Sequence, residues 1–81
     1  MARFYVLEVP ENEGVIRVAA DDPTCTVDRV GPYCRLTANG PIVIDRRATG
    51  VRHAVWYSAV SGLEASVVTQ HDKDALRVES R

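Results

Sequence analysis

The residues able to do chemistry are few, and they are scattered. Cys25 and Cys34 are the only thiols, and His53 and His71 the only imidazoles. Two Cys and two His could in principle hold zinc. There is no Cys-x-x-Cys and no Cys–His pair at ligand spacing, so no metal site is expected. A disulfide is also disfavoured. If Gly31-Pro32 turns a hairpin, Cys34 lies opposite Arg29 rather than Cys25, and both thiols share a face with Val27 and Leu36. Buried, unreactive cysteines are the plainer reading.

A catalytic histidine would need a carboxylate and a nucleophile nearby. No local motif joins Asp45, Tyr57, Ser58 or Ser66 to either histidine. His71, beside Asp72 in a turn, reads as solvated. His53 shares a strand face with Tyr57 and Gln70, and with Arg52 these could rim a small-molecule pocket. Arg46, Arg47 and Arg52 form the one basic cluster. Guanidinium groups match phosphate or carboxylate bidentately. Trp56 downstream even suggests base stacking. The plainer reading is a solvated loop. No glycine-rich phosphate loop is present, Asp21-Asp22 and Asp72/Asp74 are turn formers, and no cofactor is expected.

These residues need elements to position them. With 81 residues the chain is expected to form a single β domain, 1–81, with a thin stability margin. Net charge −1 gives no electrostatic footprint for nucleic acid and no polybasic stretch for a membrane. No apolar run is long enough to span a bilayer, nor does the N-terminus read as a signal peptide. A cytoplasmic location with free thiols is the expectation.

The strands are marked by Val-rich, β-favouring runs between turn signals. Arg3–Val9 is one; Val15–Ala20 is expected to be a second, with Ile16, Val18 and Ala20 inward. Thr24–Val30 and Tyr33–Ala38 follow, joined at Gly31-Pro32. Asn39-Gly40 is the best hairpin signal, pairing Leu36 with Val43 and sending Ile42 and Ile44 to the other face. A Ser61-Gly62 turn would close a central hairpin over 51–70. Its core face pairs Trp56 with Val67, and its second face pairs Val55 with Val68 and His53 with Gln70. A last strand is expected at Ala75–Glu79, with a single helical turn from Lys73 as the alternative.

The fold expectation is therefore all-β: a small antiparallel barrel, roll or sandwich of seven to eight short strands in a hairpin meander. Ile42, Ile44, Val55 and Val68 would lie on second faces that one small core cannot bury. They are the candidate interface, and they suggest a homo-oligomer or a larger protein partner. The functional expectation is a non-enzymatic module that self-associates or serves as an accessory subunit. The alternatives are a small-molecule-binding protein or small enzyme at Arg52, His53, Tyr57 and Gln70, and a nucleic-acid-binding barrel using Arg46, Arg47 and Arg52.

Overall fold

Two antiparallel sheets share one core in the computed structural model, which describes residues 1–81. Strand β1 (Ala2–Leu7) alternates buried Ala2, Phe4 and Val6 with half-buried Arg3, Tyr5 and Leu7, as period-two side chains require. A single 3-10 turn at Pro10–Asn12 leads into helix α1 (Glu13–Asp21). Asn12 is buried there, and its Nδ2 donates to the Leu7 carbonyl at 2.9 Å, so no polar atom is stranded.

The first sheet continues with β2 (Cys25–Val30) and β3 (Tyr33–Ala38). Gly31, at φ +58°, makes the tight turn between them, a conformation that glycine adopts at least cost. β3 pairs with β2 on one edge and with β1 on the other, setting Phe4 opposite Leu36 and Val6 opposite Cys34. Strand β4 (Ile42–Asp45) joins a second sheet. Helices α2 (Arg46–Thr49) and α3 (His53–Tyr57) follow it. A two-residue β5 (Gly62–Leu63) returns to pair with β1, and β6 (Ser66–His71) with β7 (Ala75–Ser80) completes the chain. The strand orders are β2-β3-β1-β5 and β4-β7-β6.

The core lies between the sheets. Phe4 and Leu36 come from the first sheet, Ile42, Ile44, Leu76 and Val78 from the second, Val15 and Ala19 from α1, and Trp56 from α3. Ser66 ties the sheets together: its hydroxyl accepts from the Arg3 N–H at 2.9 Å and donates to the Glu64 carbonyl at 2.8 Å. The molecule is a small all-β roll or sandwich, with sheets that do not close into a barrel. No helix is long and apolar enough to cross a membrane.

Four local expectations need correction. Residues 13–21 form a helix, not a strand: Val15 and Ala19 lie four apart and are both buried, while Ala20 is exposed. Asn39-Gly40 does not close a hairpin, because β3 already has partners on both edges and offers β4 none. Residues 53–57 are helical, so the central hairpin does not form, and β6 pairs with β7 instead. Ile42 and Ile44 are each 1% exposed inside the one chain, so they are core and not interface. They do share a face, opposite Val78 and Leu76, and that face is the interior. The strand at the C-terminus forms as expected.

Candidate functional site

The histidines, Trp56 and Tyr57 gather along α3. One helical turn separates His53 from Tyr57, which stacks their rings edge to face with centroids 4.7 Å apart. His71, at the end of β6, comes within 5.1 Å of the Tyr57 ring and 5.4 Å of Trp56. The His71 Nε2 lies 3.0 Å from the Trp56 carbonyl oxygen. A carbonyl only accepts, so this contact requires the proton on Nε2. The Trp56 indole N–H donates to the Asp72 carbonyl at 2.7 Å. Helix α3 and the β6–β7 turn are thus fastened by two reciprocal bonds.

Asp72 organises that turn. Its carboxylate accepts the N–H groups of Asp74 at 2.9 Å and Ala75 at 3.0 Å. Gln70 Nε2 donates to both of its oxygens. The Ala75 and Asp74 amides, then Gln70, hold this carboxyl below the usual aspartate range.

Of the four residues expected to rim a pocket, the structure brings His53 and Tyr57 together and leaves the other two elsewhere. Gln70 is turned to Asp72. Arg52 precedes α3 and lines a separate depression of about 400 Å³ between α1 and the α2–α3 connection, with Arg17, Glu11 and Glu13. Arg46 gives its Nε to the Lys73 carbonyl, and Arg47 is exposed on α2. Val55 and Val68 are half-buried. The Ser58 hydroxyl is bonded back to the carbonyls of Ala54 and Val55, so it is not presented to His53 as a nucleophile. No group of three or more His, Cys, Asp or Glu side chains is placed to hold a metal ion. The cysteines are unbridged; Cys34 is buried and Cys25 half-buried, and burial raises both thiols above their ordinary value.

Sequence reading missed His71, which sits 15 residues from the Trp56 carbonyl it meets. It also missed a polar cluster on the outer face of the first sheet. There Tyr5 Oη donates to Glu64 at 2.5 Å and Arg3 Nη1 reaches the same carboxylate at 2.7 Å. Arg35 takes both oxygens of Asp28. The Asp28–Arg35 contact lies across the Gly31-Pro32 hairpin and was legible from its register. The contacts to Glu64 span about sixty residues and had no local signal.

The sequence matches no family model and no curated protein. The fold does match a solved structure. A chain in the structure of a phenol hydroxylase–regulatory protein complex superposes with a TM-score of 0.77 at 15% identity. The match covers 99% of this chain and 98% of that one, so the two are nearly equal in length. At that identity the likeness is one of fold.

Proposed function

We propose that this chain is a small, non-enzymatic accessory subunit that works by docking onto a larger protein. One observation carries the reading: the end-to-end structural match to a chain of nearly the same length within a hydroxylase–regulatory protein assembly. The site geometry fits. His71 and Trp56 are engaged with backbone carbonyls, in contacts that fasten elements, and His53 stacks on Tyr57. By the same analogy the larger partner is an enzyme, and a hydroxylase is the first class to test. The two unbridged thiols suit a reducing compartment such as the cytoplasm.

Self-association is weaker as a primary role, because two of its four expected contact residues are core. The nucleic-acid reading loses its continuous basic patch, since Arg46 is spent on a carbonyl and Arg52 lines a depression of mixed charge with Glu11, Glu13 and Arg17. Affinity purification of the tagged chain from its host, followed by light scattering, tests the proposal. A stoichiometric complex with a larger polypeptide is the expected result. A chain that runs alone, or only with copies of itself, over the micromolar range would sink it.

A further inference from the structure

The face of the first sheet that points away from the core is laid out in rows. Strand register sets Leu7, Tyr33 and Val30 side by side across β1, β3 and β2. The next row is Tyr5, Arg35 and Asp28. Two members of the first row lie open, Val30 at 41% and Tyr33 at 38% exposed, beside half-buried Leu7. A shallow depression of about 330 Å³ opens between Tyr5, Val30, Tyr33 and the Ser61-Gly62 bend, with room for one large side chain.

Every charge on this face is matched within it. Arg3 pairs with Glu64 and Arg35 with Asp28. A charged occupant would give up its hydration and find no free counter-charge. An uncharged one would meet an ordered surface rich in Tyr and Arg, the types that dominate binding hot spots. The ion pairs hold both guanidinium groups in place before any partner arrives, so less side-chain entropy remains to be lost.

We infer that this face is the docking surface for the larger partner, with the depression receiving an apolar or aromatic side chain from an uncharged patch of that partner. The inference rests on the accessory-subunit reading. Area favours a larger protein over a second copy. Three six-residue strands and the two-residue β5, at about 4.8 Å spacing, give a plan area of about 300 Å². A stable standard interface needs about 800 Å² from each side. Two copies face to face fall short, whereas a larger surface can continue past the sheet onto the Gly31-Pro32 turn and the Ser61 bend. The outer face of the second sheet is the poorer candidate. Its exposed Val43 and Val67 flank the Arg77–Glu79 pair, and no depression lies between them.

A photo-crosslinking residue placed at Val30, at Tyr33 or, as control, at Val43 of the full chain in host cells tests this. Val30 and Tyr33 should give adducts with the same larger polypeptide that co-purifies with the unmodified chain, and Val43 none. Adducts only from Val43, with co-purification intact, would overturn the docking face and leave the accessory reading standing. Adducts at twice the chain mass would overturn it in favour of a second copy. Absence of both adducts and co-purification would remove the accessory reading and this inference with it. With the co-purifying protein in hand, Tyr33→Ala and Val30→Lys should weaken binding about tenfold or more, as hot-spot truncations do. Val43→Lys should leave it nearly unchanged, and equal effects at all three positions would refute the assignment.

Discussion

Trp56 does two jobs at once. Its ring is fully buried, and its indole N–H satisfies the carbonyl of Asp72 in a turn from another part of the chain. Truncation should separate the two. Trp56→Ala empties a large aromatic site and should cost about 3–5 kcal/mol. That is a large share of the roughly 5–15 kcal/mol that holds small domains together. Trp56→Phe keeps most of the apolar surface but leaves the Asp72 carbonyl without its donor, and should cost about 1–3 kcal/mol. Urea denaturation measures both. A loss below about 1 kcal/mol for the alanine variant would mean that the indole is not the keystone of this end of the core. The pairing also explains the state of His71. Its Nε2 is committed to the Trp56 carbonyl, so its role here is to hold α3 against β6.

Helix α1 meets α2 at Gly14, where a methyl group in place of hydrogen would stand 2.0 Å from the Thr49 carbonyl oxygen. That neighbour is backbone, so the helices must move apart. Gly14→Ala should therefore destabilise by about 1–3 kcal/mol, the usual cost of overpacking, even though alanine is the better helix former by about 1 kcal/mol. Gly40→Ala, where a Cβ meets nothing and φ is not positive, is the control and should be close to neutral in thermal melts. Equal melting shifts for the two variants would refute the close contact. This packing has no signature in the sequence, and the same holds for whatever depends on distant pairing. The strands β1, β2, β3 and β7 and the β2–β3 turn were legible because alternation and Gly31-Pro32 are local. Residues 53–57 were misread because Val55, Trp56 and Tyr57 favour strands, and strand preference is mostly a preference for a packed, half-buried surface. That surface was supplied here by a helix carrying Trp56 inward. His53 and Tyr57 were correctly joined, although helical spacing brings them together and not strand parity. Ile42 and Ile44 were correctly placed on one face. Only the occupancy of β3's edges could reveal which face it was.

Across the whole molecule, five carboxyls are held below their ordinary range by partners that fasten distinct junctions. Asp22 takes the Thr24 hydroxyl and amide at the end of α1. Asp28 takes Arg35, and Glu64 takes first Tyr5 and then Arg3, on the first sheet. Asp72 caps the β6–β7 turn, and Glu79 is held by Thr69 and Arg77 on the second sheet. A lowered pKa in the folded state means that folding favours the ionised form. The stability this supplies is complete above the unfolded-state values, near 4 for carboxylates, and disappears as pH falls through the folded ones. All five side chains are solvent-facing, so each contribution is screened and small; their effect is felt together. Tyr5 has the opposite sign. Its hydrogen bond to Glu64 raises the phenol above its usual value, so that contribution is present below about pH 10 and is lost as pH climbs through the folded pKa. The urea midpoint should therefore be flat from about pH 5 to 8, fall steadily toward pH 3, and decline above about pH 8.5 as the unfolded chain's thiols ionise before the folded ones. Glu64→Gln and Asp72→Asn should each cost more stability at pH 7 than at pH 3, since the contribution of the ionised carboxyl shrinks as pH falls below the unfolded-state value. Salt distinguishes the two: molar sodium chloride should shrink the Glu64 effect, which includes an ion pair with Arg3, more than the Asp72 effect, which rests on backbone amides. Equal losses at both pH values would show that shape, and not ionisation, is what these side chains contribute.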